Sequence, residues 1–272
     1  MKPVSLLGQG KHSAAWVKDF YDQTGIWWGP GAEIPDEDQA RAQAINRLCG
    51  PGPKRVLELG CGAGHSAAAT ADQVHDVTGV DLSTRRIQQA RDNYPSPRKG
   101  PLVFIEGDFY IVELEGKFDA ICYWDGFGIG SDEDQRRLLR RMAREWLAPD
   151  GHVLIDVASS AWAARHAGEE MRLDPLEGVP GSVEMLRRWQ FDVLHSRWID
   201  EWKPTEHPED ALAQSIRCYT PADFLLLLEG TGLELKSIEA NGKPVELSDD
   251  RIATDSPLAD AYSYLVLLEL AG

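Results

Sequence analysis

Read along the chain, short apolar runs alternate with amphipathic stretches. Arg55-Val56-Leu57-Glu58-Leu59 is an apolar run that stops at glycines and reads as a strand. Residues 65–73 suit a helix, Val77-Thr78-Gly79-Val80 a second strand, and Ser83 to Asn93 a second helix. Leu102 to Ile105 and Phe118 to Tyr123 follow as strands. Ser131 and Asp134, three apart, open a helix that runs to Leu147 and ends at Pro149-Asp150-Gly151; His152 to Val157 is a fifth strand. Strands alternating with helices predict a largely parallel sheet covered on both faces. Upstream, residues 37–48 read as a helix with Ala40, Ala44, Ile45 and Leu48 on one face, broken by Gly50-Pro51-Gly52-Pro53. Residues 1–35 are aromatic and glycine-rich and show no clear period.

Near residue 160 the rhythm changes. Ser182 to Phe191, Val193 to Trp202 and Ala211 to Tyr219 alternate as antiparallel strands would. Thr220-Pro221-Ala222 then starts a helix that ends near Gly230-Thr231-Gly232. Leu233 to Ala240 and Ser263 to Leu270 are strands, separated by a polar loop over 241–261. Four parts result: an N-terminal aromatic lid (1–35), a core (36–160), a β-rich insertion (161–219) and a C-terminal completion of the core (220–272).

Composition narrows the function. Of 272 residues, 28 are Lys or Arg and 44 Asp or Glu, a formal charge of −16. That balance argues against a general nucleic-acid binder, which needs a basic footprint to displace phosphate counterions. No apolar run approaches the ~20 residues of a membrane span, and no secretory pattern opens the chain. Cys49, Cys61, Cys122 and Cys218 form no CxxC pair and show no zinc-site spacing. A cytoplasmic protein with reduced thiols and no metal is the expectation.

The chemistry-bearing signal is Glu58-Leu59-Gly60-Cys61-Gly62-Ala63-Gly64, a buried strand running into three glycines at alternate positions. Glycine lets a ligand approach the main chain, and the helix beyond presents free amides. The G-x-G-x-G spacing fits the dinucleotide fingerprint poorly, since that requires G-x-G-x-x-G. Glu58 suits a ligand bearing an amino group. Asp81, in Gly79-Val80-Asp81-Leu82-Ser83, can accept both hydroxyls of a ribose. In Glu106-Gly107-Asp108-Phe109, Asp108 could accept from an adenine amino group and Phe109 could cover the ring. Trp124-Asp125-Gly126-Phe127 follows the fourth strand. All four elements fall at carboxyl ends of strands, where open α/β sheets bind ligands.

This ordered series resembles the class I S-adenosylmethionine-dependent methyltransferases, over about residues 36–160 and again after 220. The resemblance implies a doubly wound, Rossmann-like α/β sheet of seven strands, the last antiparallel, here with an antiparallel β-rich insertion. It also implies S-adenosylmethionine at Gly60, Gly62, Gly64, Asp81 and Asp108, leaving S-adenosylhomocysteine as product. Tyr21, Trp28, Glu58, Cys61, Leu82, Gly107, Phe109, Trp124 and Asp125 complete the expected cofactor set. The acidic loop and the insertion look most like small-molecule methyltransferases, such as the sugar-amine and natural-product enzymes of microbial specialised metabolism.

Methyl transfer from a sulfonium is an in-line displacement, so alignment and dryness supply much of the rate. Trp198, Trp202, Arg217, Tyr219 and Phe127 are the candidate walls for the methyl acceptor. His195, His12 and Glu201 are the candidate bases. Arginines of the insertion could receive an anionic group, or could pair with neighbouring acids. The acceptor is expected to be a small molecule, methylated on nitrogen or oxygen, with carbon a third option. An inactive S-adenosylmethionine-binding protein and a nicotinamide-dependent oxidoreductase are the alternatives. A homodimer is left open.

Overall fold

The computed structural model describes residues 16–29, 31, 33–247 and 256–272. The core strands and helices alternate, except that β4 follows β3 with no helix between: α2 (Asp36–Leu48), β1 (Arg55–Leu59), α3 (His65–Ala71), β2 (Asp76–Asp81), α4 (Thr84–Asn93), β3 (Leu102–Glu106), β4 (Phe118–Phe127), α5 (Asp132–Arg141) and β5 (Leu147–Ala158). Before them lies α1 (Val17–Trp27). After β5 come α6 (Ser160–Arg165), β6 (Glu170–Leu173), β7 (Met185–Asp192), β8 (Arg197–Pro204), β9 (Leu212–Arg217), α7 (Pro221–Leu228), β10 (Leu233–Ala240), β11 (Lys243–Val245) and β12 (Ser263–Leu270).

The main sheet has the order β11-β10-β12-β5-β4-β1-β2-β3. Pairs β1–β2, β1–β4, β2–β3 and β4–β5 are parallel, and β12 runs against both β5 and β10. Both faces are covered. Leu57, Leu59, Ile121 and Tyr123 pack with Leu138, Trp146 and Phe224 on one side; Val56, Ala120 and Cys122 pack with Ala67, Ala68 and Ile87 on the other. This accounts for strands that read as continuous apolar runs rather than as alternating ones.

Four expectations need correction. The sheet has eight strands, not seven, because β11 folds back on β10 through Asn241-Gly242. Both turn residues take positive φ, 50° and 70°, as a two-residue hairpin of Asn-Gly demands. The aromatic lid contains a helix, α1, whose buried positions Phe20, Thr24 and Trp27 have helical spacing hidden by a polar member. On α2 the buried face is Asp38, Ala42, Ala44 and Ile45, while Ala40 is exposed. Finally, residues 193–196 form a turn, so the alternation assumed from Val193 onward starts only at Arg197.

The insertion is a four-stranded antiparallel meander, β6-β7-β8-β9. Its inner face meets the core and α1 in two apolar clusters. Phe20 and Trp27 of α1 join Met185 and Trp202 in one, and Trp198, Ile216, Cys218 and Ala163 form the other. A buried polar centre lies between them. Asp200, with no exposed surface, takes a bidentate pair from Arg187 at 2.8 and 3.0 Å and further donors from Trp202 and Gln214, each at 2.9 Å. Gln214 Oε1 accepts from the Tyr21 hydroxyl at 3.1 Å. The insertion is thereby tied to the helix that precedes the core.

Candidate active site

The carboxyl ends of β1, β2, β3 and β4 open into one cavity of about 580 Å³, within the range of small-molecule sites. Strand ends supply Glu58, Gly60, Cys61, Gly62, Asp81, Leu82, Asp108, Phe109, Trp124 and Asp125; α1 and the residue after it close the cavity with Tyr21 and Trp28.

The glycine loop shows why three glycines are needed in two different ways. Gly62, at φ 53°, has nothing within 4 Å of where a Cβ would stand, so its backbone borders open space. Gly64, at φ 83°, is a packing glycine: a Cβ there would lie 2.6 Å from Phe104 and 2.9 Å from Ala90. Gly64 therefore does not line the cavity but lets α3 sit against the sheet, and Gly107 likewise lies outside the lining.

Asp81 is fixed by backbone. Its Oδ2 accepts from Gly62 N–H at 2.9 Å and its Oδ1 from Ser83 N–H at 2.7 Å. Each oxygen keeps a second lone pair for a ligand hydroxyl. Burial raises its pKa against these amides. Asp108 accepts from Tyr110 N–H at 2.8 Å, and Phe109 stands edge-on to Tyr123 at 5.5 Å. Burial pushes the Cys61 thiol well above its usual value, which keeps it a neutral wall.

Glu58 is the unusual group. It is 3% exposed, its Oε2 has no hydrogen-bond partner, and burial together with Asp38 pushes it up to about 8. A buried acceptor without a partner is costly unless a ligand supplies one.

Several cavity residues carry no motif in the sequence. Arg41 of α2 reaches Asp125 Oδ2 at 2.5 Å and Asp156 Oδ2 at 3.2 Å, and also pairs with Glu37 and Asp38. Ser66 donates to Asp38. Arg86 lies under the Trp28 ring at 5.0 Å, with one terminal nitrogen buried and without a partner. One face of the Trp28 ring is therefore occupied by a cationic side chain of this chain. The helical periods of α2 and α4 give no hint of these roles, because the partners come from distant strand ends.

The residues expected to meet the acceptor are placed elsewhere. His195 sits at the β7–β8 turn, its Nδ1 2.9 Å from Asp192 Oδ2, outside the cavity lining. Glu201 is buried on β8 but alternates with Asp200 and Trp202, so it faces away from them. His12 lies outside the described residues. Arg217 pairs with Asp132 at 3.4 Å, and Tyr219 donates to the same carboxylate at 2.7 Å, so the acid-pairing option holds for this arginine. Phe127 is buried in the core against Tyr123, Tyr219 and Phe224. Trp198 packs on Trp162 and Tyr262, and Trp202 on Trp28. None of the five expected acceptor-wall residues lines the cavity; Trp202 stands directly behind a residue that does.

With this geometry in view, the comparisons are direct. The sequence profile described as "Methyltransferase domain" matches residues 36–238. YqeM of Bacillus subtilis (strain 168), which carries a provisional methyltransferase assignment, is 25% identical over 208 residues, 73% of this chain and 81% of that one. Among solved structures, the CcbJ methyltransferase from Streptomyces caelestis matches with a TM-score of 0.68 and 20% identity over 88% of this chain and 98% of that one. The sugar N-methyltransferase KedS8 from Streptoalloteichus sp. ATCC 53650 matches with a TM-score of 0.61 and 20% identity over 88% and 89%. At these identities the structural likeness speaks for the fold.

Proposed function

We propose, from the premise that the chain belongs to the S-adenosylmethionine-dependent methyltransferase family, that it methylates an amine or hydroxyl of a small molecule in specialised metabolism. The carrying observation is the convergence of Glu58, Gly62, Asp81 and Asp108 on one cavity, with a buried Glu58 oxygen left without a partner. These residues fit the cofactor's three chemical parts. Asp81 would take the ribose hydroxyls, and Asp108 with Phe109 the adenine. Glu58 would take the amino group, which is positively charged where Glu58 needs a donor. Gly60 and Gly62 would give the backbone close approach.

S-adenosylmethionine, when bound, supplies a methyl group on a positively charged sulfur. The chain's own contribution is to orient and to exclude water. Tyr21 and Trp28 close the cavity from α1, and Tyr21 is itself fixed by Gln214 of the insertion. Transfer of a methyl group then relies on alignment of an incoming nucleophile at the Asp125–Ile129 end of the cavity. A basic nitrogen is the favoured nucleophile. Besides the raised Glu58, the cavity is lined by five carboxylates (Glu33, Asp38, Asp81, Asp108 and Asp125) against three permanent cations (Lys18, Arg41 and Arg86). That balance attracts cationic amines, and the sugar N-methyltransferase among the fold neighbours supports the same class. Oxygen acceptors are the second reading, and carbon acceptors the third.

Calorimetric titration with S-adenosylhomocysteine, with NAD as control, tests the donor site; binding of the first alone is expected. Transfer of labelled methyl to a panel of aminosugars, other amines, phenols and acids tests the acceptor. Turnover confined to phenols would replace the amine reading by the oxygen one.

A further inference from the structure

With His195 and Glu201 outside the cavity, the reaction needs another home for the acceptor's proton. Most cavity carboxylates already have an occupation. Asp81 and Asp108 accept from backbone amides, Asp38 from Ser66 and Arg41, and Glu58 is enclosed. Asp125 differs. It follows Trp124 with a left-handed backbone, φ 57°, a region uncommon for residues other than glycine and one that aspartate takes more readily than most. Its side chain is 55% exposed, and Oδ1 accepts no hydrogen bond among the described residues.

The other oxygen is held. Arg41 Nη2 donates to Asp125 Oδ2 and to Asp156 Oδ2, so two carboxylates share one nitrogen. The charged surroundings are well defined. Glu37, Asp38 and Arg41 face the pair from α2, and Glu58 from β1. Tyr21 of α1 and Tyr262, just before β12, lie within the field of Asp125; Arg187 and Asp200 of the insertion face Tyr262. Tyr262 keeps 41% of its surface open and touches Trp162 and Trp198.

We propose that Asp125 takes the acceptor's proton during methyl transfer, and that Arg41 and Asp156 are positioning residues that hold and tune its carboxylate. The lone pair of the acceptor nitrogen or oxygen forms the new bond to the methyl carbon. The carbon–sulfur bond breaks with its electron pair passing to sulfur, and the acceptor's proton passes to Asp125 Oδ1. The inference rests on the methyl-transfer reading, but holds for either nucleophile that carries a proton. Burial and the neighbouring Asp125 push Asp156 up to about 7, so the charge of the pair changes near neutrality.

Sinefungin tests this without knowing the acceptor, because it carries a protonated amine where the donor carries its methylsulfonium. Its affinity relative to S-adenosylhomocysteine is measured calorimetrically at about pH 5.5 and about pH 8.5. Titration of Glu58 affects both nucleosides alike and cancels in the ratio. The wild-type preference for sinefungin is expected to fall severalfold toward the acid end, because Asp156 takes up a proton and the carboxylate pair loses one negative charge beside the amine. Asp125→Asn should lose both the preference and its pH dependence. Asp156→Asn should keep the preference and lose the change near neutrality. A pH-independent ratio in the wild type overturns the proposal by itself, and an undiminished preference in Asp125→Asn does so too. If wild type binds neither nucleoside, the donor-site reading fails instead.

Discussion

Glu58 places a carboxyl where ordinary protein would place an aliphatic side chain. Its pKa is about 8 in the folded chain against the ordinary 4.5. Between those values the folded state binds the extra proton, so stability is greatest below about pH 4.5 for this group and falls as pH rises through about 8. Asp156, raised to about 7, adds a slope of the same sign. Melting temperatures of the ligand-free protein at acidic and alkaline pH should therefore differ less in Glu58→Gln than in wild type; equal slopes would show that Glu58 is not held protonated. Asp81→Ala should weaken S-adenosylhomocysteine binding by about tenfold or more, the loss of hydrogen bonds to a carboxylate. Unchanged affinity in a calorimetric titration would remove Asp81 from the site. At this scale the cavity wall made by Gly60, Gly62, Asp81 and Asp108 is legible, because a glycine loop and an acid at a strand end are local in sequence. Arg41 is not. Its partners Asp125 and Asp156 lie 84 and 115 positions away, and on α2 it reads as one more solvated charge.

Elements show the same division between local and distant information. The β-α alternation of the core, the capping box at Ser131 and the breaks at glycine and proline all act within a few residues, and the strands are found where their apolar runs stand. The Asn241-Gly242 hairpin is signalled as locally, but its polar flanks make the segment read as a loop. α1 was hidden for another reason: Thr24 and Gly25, both buried, interrupt an apolar face that only tertiary packing completes. Gly64 carries the clearest prediction here. Gly64→Ala would force a methyl group against Phe104 and Ala90 at positive φ, and should destabilise the protein by roughly 2 kcal/mol or more. Chemical denaturation measures this. A loss below about 0.5 kcal/mol, the ordinary effect of a surface change, would mean that the loop moves to accommodate it.

Across the whole molecule, the cavity is lined by two parts of the chain, the segment of α1 and the core, and the insertion braces the first of them. α1 bonds to α4 through Asp22 and Ser83, at 2.5 Å, and to the insertion through Tyr21 and Gln214. The insertion's inner face could not be read from alternation, since the facing strand, the turn at 193–196 and the docking helix are all set by distant contacts. Asp200→Ala would leave Arg187, Trp202 and Gln214 without their buried acceptor. Breaking such a pair typically costs ~3–5 kcal/mol. The expected result is faster proteolysis within residues 16–29 and weaker S-adenosylhomocysteine binding, although Asp200 lines no part of the cavity. Binding that persists at wild-type strength would show that α1 keeps its place without the insertion.

Trp28 and Trp124 both border the cavity, each with its indole nitrogen buried and without a partner and each beside a guanidinium, Arg86 and Arg41. The chain therefore carries its own optical probe. A nucleoside entering between these rings changes the polarity around two indoles at once, so the emission colour and intensity of the unlabelled protein should follow occupancy. Replacing either tryptophan by phenylalanine would apportion the signal between the two rings.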